Sequence, residues 1–197
     1  MMIRTFVAIE LPEQAIAGLT QLQSRLKTLT PPHSVRWTAP QNIHLTLHFL
    51  GDIAAEDTAK ISDALAEVAA SAGPFSLRLG GLGCFPNTQR PRVLWVGMLE
   101  QSPPLAALVQ KLGVSLQTAI GFTPENRPYS PHLTLGRVKN GIQPRSLRQL
   151  GETIVQFQKQ VGQVARVDAF EISFIQSELR PAGSVYTPLS RHRLGPG

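Results

Sequence analysis

The residues best suited to chemistry in this 197-residue chain are two histidines set in identical tetrapeptides. His44-Leu45-Thr46-Leu47 recurs as His132-Leu133-Thr134-Leu135, 88 positions later. In an extended chain successive side chains alternate, so each histidine shares a face with the threonine two residues on, and both leucines turn to the other face. Each copy thus has a chemical side and a core side. If a pseudo-twofold axis relates them, the chemical sides meet across a groove and present two imidazoles and two hydroxyls to one ligand. That set suits a tetrahedral anion.

An unperturbed histidine titrates near ~6.5, so a pair can hold one neutral base and one protonated acid at neutral pH. In phosphodiester cleavage the base would activate water and the acid would protonate the departing ribose oxygen. Threonine hydroxyls would bind the non-bridging oxygens, and Arg137, three residues past Thr134, is a fitting clamp for their charge. Singly, each of these residues has an ordinary use: a histidine satisfied on a half-buried strand, a threonine packed in a sheet, an arginine solvated at a surface. Repetition at fixed spacing is what gives the set its weight.

Other chemistries are disfavoured. His44 and His48 stand four apart, a spacing that chelates zinc on a helix but separates side chains by roughly 13 Å on a strand. No Asp, Glu or Cys lies inside either motif, so neither a metal nor another cofactor is expected. By alternation His48 falls on the face of His44 and Thr46, where a packing or solvated role is expected. Ser130 lacks the Gly-x-Ser-x-Gly setting of a nucleophile, and Cys84, the only cysteine, reads as a small buried hydrophobe that excludes an intramolecular disulfide. Without a glycine-rich phosphate loop, a bound phosphate must be held by side chains.

The elements that would position these groups alternate between strand and helix. Ile3 to Ile9 predicts a strand, and Ile16, Leu19, Leu22 and Leu26 predict an amphipathic helix that Pro31-Pro32 ends. A short extended piece at Val35 to Thr38, a strand from Asn42 to Gly51 and a helix through Ile61, Leu65 and Val68 follow. Strands are predicted at Phe75–Leu82 and Val93–Leu99, joined by a polar Phe85–Arg92 loop that could edge a cleft. The order then restarts: a helix with Leu105, Leu108, Leu112 and Leu116, a Pro-rich connector, a strand from His132 to Val138, and a helix near Ser146 to Gln156. Two closing strands are predicted, Val164–Ile175 and Ser184–Leu189.

A hydrophobic share of 42% excludes disorder as the default, and 16 Gly with 16 Pro mark many turns. The formal charge of +6 favours anionic partners. Its excess lies past Gly97, where Arg127, Lys139, Arg145 and Arg148 surround the second motif and could draw in an RNA backbone. No leader or membrane-length apolar run is seen, so a cytoplasmic protein without membrane attachment is expected. Trp37, Phe85 and Tyr129 are candidates for base stacking, beside the commoner core role of aromatics.

Both motifs together resemble the 2H phosphoesterase superfamily, and specifically its bacterial RNA 2′,3′-cyclic phosphodiesterases, formerly called 2′–5′ RNA ligases. The resemblance extends to Arg4-Thr5-Phe6-Val7-Ala8-Ile9-Glu10-Leu11-Pro12, to Arg36-Trp37 through Gly51, to Phe85-Pro86, to Arg92-Val93-Leu94-Trp95, to Pro131 through Arg137 and to Ser177-Glu178-Leu179. It implies an α+β, bilobal fold: two pseudo-symmetric antiparallel sheets backed by helices around a central cleft. The whole chain, 1–197, would form one bilobal domain with lobes near 1–97 and 98–197, terminal strands crossing between them. The implied reaction is metal-independent hydrolysis of an RNA terminal 2′,3′-cyclic phosphate to a 2′-phosphomonoester, with 2′–5′ ligation as an accompanying activity. By position His44 would be the proton donor and His132 the acceptor, with Thr46, Thr134 and Arg137 on the phosphate. The implied partner is an RNA end, tRNA fragments included, met by a monomer. Two other readings stand beside this one: a non-catalytic RNA- or nucleotide-binding module, and a phosphodiesterase for a small cyclic nucleotide or the cyclic phosphate of ADP-ribose. Turnover separates the first and substrate length the second.

Overall fold

The structure is a computed structural model describing residues 1–125, 127–181 and 183–196. Nine strands and four helices are seen among them. In chain order they are β1 (Met2–Glu10), α1 (Glu13–Leu29), β2 (Val35–Trp37), β3 (His44–Ala54), α2 (Thr58–Ala70), β4 (Phe75–Phe85), β5 (Val93–Met98), α3 (Pro103–Ile120), β6 (Leu133–Val138), α4 (Pro144–Gln158), β7 (Gln163–Ala169), β8 (Glu171–Arg180) and β9 (Gly183–Arg193). They form two antiparallel sheets, ordered β3-β1-β8-β9 and β2-β6-β5-β4-β7. The fold is α+β, as the resemblance implied.

Setting β3-β1-β8-β9 beside β6-β5-β4-β7 exposes the internal repeat, with β2 as an added edge on the second sheet. Helices cross over: α1, which follows a strand of the first sheet, packs on β7 of the second, while α2 and α3 cover β8, β9 and β3 of the first. α4 packs on β4. Helix faces of spacing three and four supply this burial, Leu19, Leu22 and Leu26 on α1 and Leu105, Leu108, Leu112 and Leu116 on α3. The leucines of both motifs, Leu45, Leu47, Leu133 and Leu135, are buried in the same core. Full burial of each side chain contributes roughly 2 kcal/mol, so the hydrophobic half of each motif anchors its polar half.

One predicted element divides. The closing stretch expected as a single strand over 164–175 is two strands, β7 in the second sheet and β8 in the first. The chain changes sheets at Phe170, which is exposed, after buried Ala169 and before exposed Glu171. Neither Gly nor Pro marks this break, so local signals predict one continuous strand. No helix among the described residues is long and apolar enough to cross a membrane.

Candidate functional site

His44 opens β3 one residue beyond a 3₁₀ turn at Pro40–Asn42, and His132 immediately precedes β6. The turn is tied down by Asn42 Nδ2, which donates to the Ser184 carbonyl of β9 at 2.8 Å. In both copies the imidazole binds the backbone two residues back. His44 Nδ1 lies 2.9 Å from the Asn42 carbonyl and His132 Nδ1 lies 2.8 Å from the Ser130 carbonyl. A carbonyl only accepts, so each Nδ1 carries the hydrogen, and Nε2 is the nitrogen left to take or give a proton.

The repeat extends to an irregularity of the backbone. Along β1 and β3 the register runs Ala8↔Thr46 then Val7↔His48, leaving Leu47 unmatched. Along β5 and β6 it runs Trp95↔Thr134 then Leu94↔Gly136, leaving Leu135 unmatched. A β-bulge of this kind interrupts strict alternation, so the residue after it stays on the core side and the next returns to the open side.

Two consequences follow for the sequence-based candidates. Arg137, which strict alternation would set opposite Thr134, comes round to the open face with it. His48 goes the other way, correcting the expectation that it shares the face of His44 and Thr46. Its Nε2 donates to the Val109 carbonyl of α3 at 2.7 Å, and its ring meets Phe122 edge-on at 5.5 Å. Gly113 makes room for it: a Cβ there would sit 3.4 Å from His48 Cε1 and 3.3 Å from Pro124 Cγ. His48 is a packing residue between β3 and α3.

His44 and Thr46 thus line the open face of the first sheet, and His132, Thr134 and Arg137 that of the second. β3 and β6 approach each other in space, and the two histidines are near enough for their charges to interact. Tyr129 braces the junction, its hydroxyl donating to the Thr46 carbonyl at 2.9 Å. Burial raises the Tyr129 pKa, keeping that hydroxyl a donor. Tyr129 is therefore a strut and not a free stacking platform. Trp37 packs on the helix side, beside α1, with Lys27 Nζ 5.8 Å from its ring centre. Phe85 stands edge-on to His132 at 4.9 Å. Of the basic residues near the second motif, Arg145 and Arg148 lie on α4, behind the sheet, and Arg127 pairs with Glu125.

The two histidines sit in unlike surroundings. His44 stacks on Phe6 at 4.6 Å and meets the edge of Tyr186 at 5.2 Å. Desolvation lowers its pKa to about 4, opposed by the Asn42 hydrogen bond and the Glu10 charge, with repulsion from His132 adding to the lowering. Glu10 is its direct cross-strand partner and accepts from Ser173 Oγ at 2.6 Å and Arg191 Nε at 3.0 Å. His132 lies against Phe85 and, at 6.5 Å, Trp95, whose indole runs over the bare backbone of Gly83. A 490 Å³ cavity at the far end of β3, lined by Met2, Phe49, Ile53 and Phe122 among others, includes none of the five candidates.

A LigT like Phosphoesterase family model matches residues 9–95, which include the first motif. An RNA 2′,3′-cyclic phosphodiesterase of Methanothermobacter thermautotrophicus is 34% identical over 98% of this chain and 100% of its own. The chain belongs to the LigT-like phosphoesterase family. Its fold superposes on a solved Thermus thermophilus protein with a TM-score of 0.79 at 26% identity, covering 98% of both chains. E. coli LigT complexed with 3′-AMP gives 0.73 at 26% identity, over 98% of this chain and 99% of that one.

In this LigT-like chain several supporting residues escaped the sequence reading. Gln23 of α1 is buried and donates through Nε2 to the Leu135 carbonyl at 2.8 Å and the Thr38 carbonyl at 2.9 Å. It is a second donor to the carbonyl of the bulged residue, which also accepts from the Thr38 backbone N–H at 2.9 Å. Its signal was visible, a lone amide between Leu22 and Leu26 on a buried helix face. Glu10 and Tyr186 had none, because a strand pairing between distant stretches of chain brings Glu10 to His44 and the whole width of the sheet separates β9, which carries Tyr186, from β3.

Proposed function

We propose that this protein hydrolyses the 2′,3′-cyclic phosphate at an RNA 3′ end, and that His44 and His132 are its acid–base pair. The observation that carries the reading is the duplicated imidazole lock: two histidines whose Nδ1 is held by the carbonyl two residues back, which leaves Nε2 of each for proton transfer, on strands that approach each other. The name of the M. thermautotrophicus relative, matched along the whole chain, supports the substrate.

His132 Nε2 takes a proton from water as its oxygen attacks phosphorus. The bond from phosphorus to the ribose 3′ oxygen breaks, and His44 Nε2 supplies the proton that oxygen needs. The products are a 2′-phosphomonoester and a 3′ hydroxyl. Thr46, Thr134 and Arg137 hold the non-bridging oxygens, where hydrogen bonds to developing charge matter most. A 5′ hydroxyl replacing water would make a 2′–5′ linkage by the same steps, which is the ligation we include in the proposal. Burial keeps His44 neutral in the free protein, so its role as donor requires the phosphate anion to favour the imidazolium.

The test is a short RNA ending in a 2′,3′-cyclic phosphate, incubated with the protein and a chelator, with 2′- and 3′-phosphate products resolved. The expected result is a 2′-phosphate formed at a chelator-resistant rate, with bell-shaped pH dependence. Tight binding of the RNA with no turnover would instead establish a binding module.

A further inference from the structure

Arg36 is the middle residue of β2, the edge strand beside β6. Its register partner is Arg137. Directly opposed residues on neighbouring antiparallel strands share a face, with their Cβ atoms about 5 Å apart. The face is fixed independently by Gly136, where a Cβ would point at Val35 Cγ1 and Trp37 Cε3, 2.7 and 3.2 Å away. Val35 and Trp37 thus lie on the helix side, and Arg36 and Arg137 lie together on the other, the side of Thr134. Both are exposed, and among the described residues neither forms an ion pair with a carboxylate.

Two like charges directly opposed across a ladder are unfavourable, and a sheet that keeps them without an acidic neighbour is arranged for an anion. Arg137 is already assigned to the reacting phosphate. From Thr134 outward along the sheet, Arg36 is the next cation, and no strand lies beyond it among the described residues. On the other side of β6 the aromatic groups of β4 and β5, Phe85 and Trp95, close the site. A polymer whose 3′ end occupies the cleft has its next phosphate one nucleotide back, and β2 is an edge of this sheet that no further strand closes among the described residues.

We infer that Arg36 binds the phosphodiester immediately 5′ of the reacting nucleotide, and so makes the site prefer an oligonucleotide end to a cyclic mononucleotide. The inference rests on the phosphodiesterase reading above. Arg36 is a specificity residue here, acting on binding and not on the bond that breaks.

The experiment compares a 2′,3′-cyclic mononucleotide with a dinucleotide carrying the same terminal cyclic phosphate, using wild type, Arg36→Gln and Arg36→Lys. Arg36→Gln should raise KM for the dinucleotide about tenfold, leaving its kcat and both constants for the mononucleotide unchanged. Arg36→Lys should recover part of the loss, since it restores the charge without the planar fork. The slope of log affinity for the dinucleotide against log salt should become shallower by about 0.7 in the glutamine variant, one phosphate contact fewer on a single strand. Its Tm should equal or exceed that of wild type, the opposed charge having been removed. Equal effects on both substrates, no effect on either, or a lowered Tm with proportionate loss on both would overturn the subsite. If wild type turns over neither substrate, it is the phosphodiesterase reading that fails, and direct binding of the dinucleotide to wild type and Arg36→Gln still decides whether Arg36 holds a phosphate.

Discussion

The two copies of His-Leu-Thr-Leu share a backbone and differ in everything around it. Each imidazole is locked through Nδ1 to the carbonyl two residues earlier, and each strand bulges at the second leucine. Yet His44 is enclosed by Phe6 and Tyr186 with a carboxylate as its strand partner, whereas His132 borders the Phe85 and Trp95 rings. After the bulge the first copy continues with His48 and Phe49, the second with Gly136 and Arg137. Duplication supplies matched geometry, and divergence of the neighbours supplies unmatched electrostatics. Acid–base chemistry needs both, because two equivalent histidines in equivalent surroundings would compete for the same protonation state.

The largest expected effect tests whether the copies work as one unit. His44→Ala and His132→Ala should each lower kcat on the cyclic-phosphate RNA by at least ~10²-fold, and the double variant should lose little more than either single one. Product-resolved kinetics check this. Effects that multiply in the double variant would show two groups acting separately, and would break the pairing.

A smaller effect separates the histidine proposed to react from the histidine that packs. His48→Ala removes a half-buried ring and a hydrogen bond to α3, and should lower stability by about 2 kcal/mol in a denaturant titration. Its kcat at a temperature where it is folded should stay within about threefold of wild type, since Nε2 is committed to the Val109 carbonyl. A loss comparable to that of His44→Ala would return His48 to the cleft.

The contrast between His44 and His48 also marks where the sequence stops being legible. The motif pair, its faces and nearly every element follow from period and repetition, because a strand's two-residue alternation and a helix's apolar spacing are local properties. The bulges are not local. By alternation alone His48 looks well placed and Arg137 misplaced, and one unmatched leucine in each strand reverses both. The same limit hides Glu10, which reaches His44 through a strand pairing across 34 residues of chain. It hides the break at Phe170, where the chain leaves one sheet for the other without a turn residue.

The smallest effect is the one that reads the asymmetry directly. Desolvation holds His44 neutral, with its pKa lowered to about 4 in the free protein. A bound dianion near Nε2 stabilises the imidazolium, so the His44 pKa must rise on binding, and by linkage anion affinity must increase as pH falls below the raised value toward that of the free protein. Above that value the affinity loses its His44-dependent slope. Sulfate is the suitable probe because it does not itself titrate in this range. Imidazole NMR of the free protein should show His44 uncharged down to pH 5, and saturating sulfate should bring its titration midpoint toward the ordinary histidine value. Thr46 and Thr134 variants that weaken anion binding should shrink the shift in step. A His44 resonance that titrates normally in the free protein, or one that sulfate leaves unmoved, would remove the electrostatic difference between the copies. The proton donor would then have to be assigned on other grounds.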